Sequence, residues 1–385
     1  MSQKEYLKDL DGYEQIVQDI EVLKKYGTDY GAQKGRVKKI INTFHPKKLN
    51  LKVSEIIRET ASAKSFKLVS TNDYLPPFQA GQYINISVDT AGVRTSRPYS
   101  ISSPPSRTGY YEITVRRVAD GFVSDYLLND VQVGDVFEST SPGGYFYYNP
   151  LFHGKDLVLL AGGSGITPFM SMVREFSERG LDLNLHLIYG SVSPDDVIFH
   201  DELMQCARKH ANFRYDLVIS DPPAGYSGHT GFLSAELLEK LVDDITSKTC
   251  YICGPDIMHT FCCGQMDILG VPGRKVRTEI SGPPKEVGQE PGWPVDVSVD
   301  DLFAVKVKGR TIKARAGEPL LNSLEREGIV LPAECRSGEC SLCRTKLLAG
   351  KVFHPQGVKL RKSDRRFGYI HPCMAYPIED LELML

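Results

Sequence analysis

The amino-acid sequence predicts a multidomain chain: an antiparallel β-barrel, then a doubly wound α/β domain, then a small α+β domain, all preceded by a helical extension. Three observations predict it. Short apolar runs of period two lie between Gly and Pro turns from about residue 51 to 150. Strand-like and helical runs alternate over 151–281, as in a βαβ series. Four closely spaced cysteines fall in the last unit, 295–385, beyond a Pro- and Gly-rich linker at 282–294. A chain of 385 residues is too long for one ordinary domain, so units of 1–50, 51–150, 151–281 and 295–385 are expected.

The elements follow in order. Tyr6, Leu10, Tyr13, Ile16, Val17, Ile20 and Leu23 recur at a helical period, which predicts one amphipathic helix. Between Lys34 and Lys52 stand seven Lys or Arg and no acid, with Val37, Ile40, Ile41 and Phe44 interleaved. This basic amphipathic stretch reads as a solvated helix packed on the next domain, as a docking element for an acidic partner, or as a self-association element. In the barrel, Phe66–Val69, Tyr83–Val88 and Tyr111–Val115 alternate as strands. In the α/β unit the expected strands are 157–161, 185–189, 215–220 and 250–253, and the expected helices 168–179, 199–209, 234–242 and 255–269. Residues 302–307 and 311–314 read as an early strand pair of the last unit.

Composition bounds the function. Hydrophobic content of 41%, charged content of 24% and a net charge of -2 describe a globular chain and exclude nucleic acid or a membrane as a global partner. The longest apolar runs fall far short of a transmembrane segment, and Met1–Glu5 opens a charged stretch without a signal-like apolar core, so a cytoplasmic location is expected. Of nine cysteines, Cys206, Cys250, Cys253, Cys262 and Cys263 lie in apolar patterns and read as reduced thiols. The nine histidines show no ligand spacing and read as structural.

Cys335, Cys340, Cys343 and Cys373 are spaced C-x4-C-x2-C followed by a gap of 29 residues. That is the ligand spacing of a plant-type [2Fe-2S] ferredoxin, three thiolates on one loop and a fourth from a distant segment. Small residues in the loop 333–343 let backbone N–H groups turn toward the sulfurs. A zinc site would call for two ligand pairs or a Cys/His set at zinc-finger spacing, and the loop has neither.

Ala161-Gly162-Gly163-Ser164-Gly165-Ile166-Thr167-Pro168 follows a buried strand and opens a helix. Glycines permit close backbone approach, and a helix N-terminus offers free N–H groups to a pyrophosphate. Alone, such a turn is a weak signal. With Arg97-Pro98-Tyr99-Ser100, Gly121-Phe122-Val123-Ser124 and Cys253-Gly254-Pro255 in this order, the chain resembles the ferredoxin-NADP reductase superfamily. Within it, the chain is most similar to the flavin-dependent oxygenase reductases with a C-terminal plant-type ferredoxin domain, such as those serving phthalate, vanillate and phenylacetyl-CoA oxygenases. The resemblance covers about Leu51 to Leu385 and leaves out the first fifty residues.

The resemblance implies a flavin-binding barrel, a nicotinamide-nucleotide domain and a β-grasp ferredoxin domain. On these residues it places Arg97 at the flavin phosphate, Pro98 and Tyr99 at the isoalloxazine, and Ser100 near N5. Thr114, Val115 and Arg116 would line the ribityl and phosphate region. Gly121, Val123 and Ser124 match the segment that holds the second phosphate, which favours FAD over FMN. Gly162, Gly163, Ser164, Gly165, Thr167 and Pro168 would cradle the nucleotide, with Gly254 and Pro255 beside Cys253 at nicotinamide C4. Ser100, Cys253 and Glu279 are the implied catalytic set. Family members often carry an aromatic residue two positions after that glutamate, where this chain has Ser281.

Gly190–Asp196, with Ser191 and Asp195 as contacts, holds two acids and no base. A 2′-phosphate is met by Arg or Lys and a ribose hydroxyl by an acid, so NADH is favoured over NADPH. Nicotinamide gives a hydride and the cluster accepts one electron at a time; a flavin between them reconciles the two. The expected activity is an NADH-dependent reductase passing single electrons through FAD and a [2Fe-2S] cluster to a separate redox protein, commonly a terminal oxygenase. Arg336, Arg344 and Lys346 flank the ligands, which suggests an acidic docking face on that partner. Two rival readings stand beside it: direct reduction of a quinone, ferric complex or disulfide, and an iron–sulfur sensor or interaction protein.

Overall fold

The computed structural model describes residues 12–26, 35–119, 121–280 and 282–385. Tyr6, Leu10, Lys34 and Ser281, on which parts of the sequence reading rest, lie outside them. The chain divides into two units, the first ending at Lys47 and the second running from Lys48 to Leu385.

The first unit holds α1 (Tyr13–Tyr26) and α2 (Arg36–Phe44). Helix α2 opens at Gly35, whose φ of 85° suits a residue without Cβ. None of its residues is buried: Val37, Ile40 and Ile41 stand 70%, 48% and 55% exposed on one side, as the i, i+3, i+4 pattern predicts.

The second unit begins with an antiparallel sheet of six strands in the order β4-β3-β6-β1-β2-β5: β1 (Leu49–Arg58), β2 (Ala63–Ser70), β3 (Tyr83–Thr90), β4 (Val93–Ser100), β5 (Tyr111–Arg116) and β6 (Val136–Ser139). A bridge between Ile101 and Ile113 brings the two edges together, so the sheet curls into the expected barrel. Leu51, Phe66, Leu68, Ile84, Ile86 and Ile113 fill it, each at most 2% exposed, as alternation along half-buried strands requires. Helix α3 (Phe122–Asn129), which the sequence reading does not anticipate, covers one opening with Val123, Leu127 and Leu128.

A parallel sheet follows, ordered β10-β9-β8-β7-β11-β12: β7 (Asp156–Gly162), β8 (Asn184–Ser191), β9 (Phe213–Ile219), β10 (His229–Thr230), β11 (Thr249–Gly254) and β12 (Val276–Ile280). Helices α4 (Ile166–Arg179), α5 (His200–Lys209), α6 (Ala235–Leu241) and α7 (Asp256–Ile268) lie between the strands in sequence. Two apolar layers, one around Leu159, Phe169 and Tyr251 and the other around Val158, Leu160 and Ile252, cover its two faces, as a doubly wound sheet demands. Strand order reverses between β7 and β11, so their carboxyl ends form the crevice where such sheets bind ligands.

The last part pairs β13 (Leu302–Val307) with β14 (Arg310–Arg315), and β13 runs parallel to β19 (Leu381–Met384). With β15 (Thr345–Ala349) and β17 (Tyr369–Ile370) these make a mixed five-stranded sheet; α8 (Leu320–Arg326) packs on it, and a small β16–β18 ladder (Val352–Phe353, Tyr376–Pro377) and α9 (Lys362–Arg366) complete the unit. A mixed sheet crossed by one helix is the β-grasp arrangement that the resemblance implies. Among the described residues no helix is long and apolar enough to cross a membrane.

Candidate functional site: a three-domain redox junction

All nine cysteines are free. The four of the motif fall into two pairs. The Cys343 and Cys373 sulfurs are 3.4 Å apart, and the Cys340 thiol hydrogen-bonds to Cys335. The amides of Ser337 and Cys340 donate to Cys335 Sγ at 3.5 and 3.3 Å. The Cys340 thiol and these amides pull the Cys335 thiol down. Among the described residues no three His, Cys, Asp or Glu side chains surround a single point. Two pairs of thiols, with amides aimed at a sulfur, fit two irons with two ligands each and not one tetrahedral zinc.

Arg336 and Ser341 take φ of 52° and 59°, and Gly338 takes 76°. These turns fold the loop back on itself. A Cβ on Gly338 would press on Val358 and Met374 at 3.0–3.1 Å.

In the barrel, β4 places Arg97, Pro98, Tyr99 and Ser100 opposite Ile86, Asn85, Ile84 and Tyr83 of β3, all four half-buried. Ser100 Oγ donates to Glu279 Oε2 at 3.4 Å, and Cys253 Sγ lies 3.9 Å from the same oxygen. Cys253 and Glu279 are register partners on β11 and β12. So the three residues implied as catalytic, drawn from two domains, converge on one carboxylate. Burial, with a smaller repulsion from Glu339, pushes Glu279 up to about 8, and burial with Glu279 beside it pushes the Cys253 thiol well up.

That shift has a measurable sign. Below pH 4.5 the carboxyl is protonated in folded and unfolded chain alike; between about pH 4.5 and 8 only the folded chain keeps the proton, so stability falls as pH rises through this window. Glu279→Gln cannot ionise. Its melting temperature is expected to gain on the wild type steadily from pH 5 to pH 8, and parallel curves would show that Glu279 has no raised pKa.

The glycine turn is dictated by packing. A Cβ on Gly165 would lie 2.2 Å from the Cys253 carbonyl oxygen, and one on Gly162 would lie 2.1 Å from Met258 Sδ. Gly254 meets the same sulfur at 2.6 Å. Gly163 has φ of 54°, and its carbonyl accepts from Tyr189 Oη at 2.8 Å. No side chain caps α4; the 3-10 turn Gly163–Gly165 runs straight into it, with the Ile166 amide donating back to the Gly163 and Ser164 carbonyls, while Thr167 Oγ1 donates to the Ser164 carbonyl and Pro168 has no N–H to satisfy. Gly254 and Pro255 close the opposite wall at the start of α7.

Other implied residues are placed differently from one another. Thr114 is 4% exposed with its hydroxyl 2.8 Å from Ser65 Oγ, and Val115 is 1% exposed in the barrel core, so neither side chain reaches the surface. Arg116 is engaged by Asp196, whose other carboxylate oxygen accepts from Thr60 and Ser62 at 2.6 Å each. Asp196 thus binds the barrel to the parallel sheet, while Asp195 stays exposed. Ser191 Oγ donates to the Ser193 carbonyl at 3.2 Å and shapes the same turn. Gly121 starts α3, its place fixed by Ser124 Oγ 2.1 Å from a would-be Cβ; Val123 is buried, and Ser124 Oγ donates to the Gly121 carbonyl at 3.3 Å.

Sequence reasoning missed the residues that join the domains. Arg174 donates from Nη1 to the Ser102 carbonyl at 3.0 Å and to buried Glu112, and holds Glu202 through two 2.7 Å bonds. Asn85 Nδ2 donates to the backbone carbonyls of Ala333 and Glu334, the latter next to the first cluster cysteine. Arg336 is a correction: it does not face outward toward a partner. It is 6% exposed, ion-paired with Glu325, and its Nη2 donates to Thr95 Oγ1 at 3.1 Å in the barrel. The signals were a positive-φ residue after a cysteine and a buried threonine on β4, and neither has a sequence signature.

Arg97 Nη1 also donates to Thr95 Oγ1, at 2.8 Å. Burial and the neighbouring Arg336 pull the Arg97 guanidinium down to about 10, so two cations share one carboxylate, Glu325. A buried surplus of positive charge beside β4 fits a phosphate group.

Barrel, parallel sheet and cysteine loop together define a flavin- and iron–sulfur-dependent oxidoreductase. Family models match on each part: an oxidoreductase FAD-binding domain over residues 48–148, an oxidoreductase NAD-binding domain over 159–264 and a 2Fe-2S iron-sulfur cluster binding domain over 303–377. The NADH oxidoreductase HCR of Escherichia coli is 31% identical over 337 residues, 86% of this chain and 96% of its own. The glycine betaine monooxygenase reductase subunit of Chromohalobacter salexigens is 28% identical over 347 residues, 85% of this chain and 93% of its own. Among solved structures, phthalate dioxygenase reductase superposes with a TM-score of 0.66 at 26% identity, covering 88% of this chain and 98% of its own. The chain belongs to the ferredoxin-NADP reductase superfamily, in the branch whose members join FAD-binding, NAD-binding and [2Fe-2S] domains.

Proposed function

We propose that this chain is the reductase component of an oxygenase system: it takes hydride from NADH and delivers single electrons, through FAD and a [2Fe-2S] cluster, to a separate cytoplasmic oxygenase. The observation that carries the reading is the convergence of Ser100, Cys253 and Glu279 at one carboxylate, with the Cys335 loop tied to the same barrel through Asn85. Bound at this junction, a flavin divides a two-electron hydride into single-electron transfers that an iron–sulfur cluster relays one at a time.

The residues then have these parts. Arg97 neutralises the flavin phosphate, Tyr99 supplies an aromatic wall, and the amides at the start of α3 and of the glycine turn before α4 meet the second phosphate and the nucleotide pyrophosphate. Pro255 and Gly254 shape the nicotinamide wall, and Cys253, 2% exposed, excludes water from it. Exposed Asp195 accepts from the adenosine ribose, which favours NADH.

The acceptor's docking face is basic. Residues 344–366 hold eight Lys or Arg and one acid, and that acid, Asp364, is 2% exposed and paired with Arg344 at 3.3 Å. Lys362, Arg365 and Arg366 are exposed on and beside α9, and Leu342, between two cluster cysteines, is 49% exposed. An apolar contact at the cluster with a cationic rim suits an oxygenase with an acidic patch. The names of the relatives above point the same way.

The test is NADH-driven electron delivery to the cognate oxygenase at rising salt. Lys362→Glu/Arg365→Glu/Arg366→Glu is expected to raise the KM for that acceptor roughly tenfold or more at low salt and to flatten its salt dependence, with dye reduction unchanged. Unchanged KM would remove this face from the account. Turnover with dyes and quinones but none with any oxygenase would favour direct reduction of small oxidants.

A further inference from the structure

Arg336 carries an unexplained donor. Its Nη2 is used on Glu325, on Thr95 Oγ1 at 3.1 Å and on Ser96 Oγ at 3.5 Å, and its Nη1 reaches Asn322 Oδ1 at 3.4 Å. The Nε–H remains buried without an acceptor. An orphaned N–H on a guanidinium 6% exposed is costly, and the group that best relieves it is an anion.

Its surroundings narrow the choice. Thr95 Oγ1 donates to Glu325 Oε2 at 2.8 Å and accepts from both Arg336 and Arg97, so the two guanidiniums, from different domains, meet at one hydroxyl. Glu325 balances one of them only. The remaining positive charge lies beside Arg97, at the place read above as the flavin phosphate site.

We propose that Arg336 is a second phosphate ligand for the flavin, reaching across the domain boundary with its Nε–H to the phosphate that Arg97 binds. The inference rests on the flavin assignment of Arg97 and adds a residue from the iron–sulfur domain to it. The flavin is then held by both domains, and by linkage its phosphate tightens the docking of the cluster loop that Arg336 belongs to. A flavin without phosphate has no such effect.

The experiment titrates deflavinated full-length protein with FAD, FMN and riboflavin, following quenching of flavin fluorescence. Arg336→Gln is expected to weaken FAD and FMN roughly 10- to 100-fold, the span of a charged hydrogen bond, and to leave riboflavin unchanged. Arg336→Lys keeps the charge and should restore part of the loss. Visible circular dichroism of the cluster must match the wild type, which separates the effect from damage at Cys335. Asn85→Ala loosens the same domain contact without touching the guanidinium and should not change the ratio of FAD to riboflavin affinity.

Equal weakening of all three flavins in Arg336→Gln would make Arg336 a docking residue only and overturn the proposal, as would no change in any of them. Arg97→Gln distinguishes the two levels: if it too fails to discriminate FAD from riboflavin, the flavin assignment itself is wrong. If Arg97→Gln discriminates and Arg336→Gln does not, the assignment stands and the proposal falls. Should Arg336→Gln not fold, Arg336→Lys carries the comparison, with a smaller weakening of FAD and FMN expected and riboflavin unchanged.

Discussion

Cys335→Ser is expected to lower NADH-dependent electron delivery to a protein acceptor by at least about 100-fold while leaving NADH-dependent ferricyanide reduction within about twofold. Cys335 accepts two backbone amides and the Cys340 thiol, so its sulfur organises half of the cluster's ligand set. The Ser100–Glu279–Cys253 convergence lies in the other two domains and contains no cluster ligand. Steady-state assays with the two acceptors on one preparation check the result. Undiminished protein turnover in Cys335→Ser would mean that electrons leave from the flavin.

Gly165→Ala carries the second large effect. The added Cβ falls 2.2 Å from the Cys253 carbonyl oxygen and 2.7 Å from Gly254 Cα, both main chain, so α4 must move away from β11. Overpacking of this kind costs about 1–3 kcal/mol, and the shift separates the glycine turn from the Cys253 strand end. The KM for NADH is expected to rise by roughly tenfold or more, with the melting temperature lower by several degrees and the cluster spectrum unchanged. An unaltered KM would show that the turn does not approach the nucleotide.

The parallel sheet was the most legible part of the molecule. Its central strands β7 and β11 are buried along nearly their whole length, and Ser234 caps α6 through a 3.3 Å bond from the Leu237 amide, so that helix starts where its sequence says. Helix α3 was not legible: Gly121 and Ser124 drew attention as phosphate contacts, and eight residues give too short a period to separate from a loop. Thr114 and Arg116 share the face of β5 opposite Val115, where Thr114 meets Ser65 and Arg116 meets Asp196, partners that no local pattern shows. Charge counting near the cysteines placed Arg336 on the surface; only the fold reveals Glu325, eleven residues earlier on α8, at the right distance to bury it. Domain-joining contacts depend on pairs remote in sequence, such as Asn85 with Ala333, and local patterns do not encode them.

The most direct measurement is an anaerobic NADH titration of the purified protein, followed through its visible spectrum and completed by chromatography of the released flavin. One FAD takes two electrons and one cluster takes one, so the account predicts bleaching of both chromophores, complete near about 1.5 equivalents of NADH, with FAD released. Flavin bleaching at about one equivalent, with the cluster still oxidised, would contradict it.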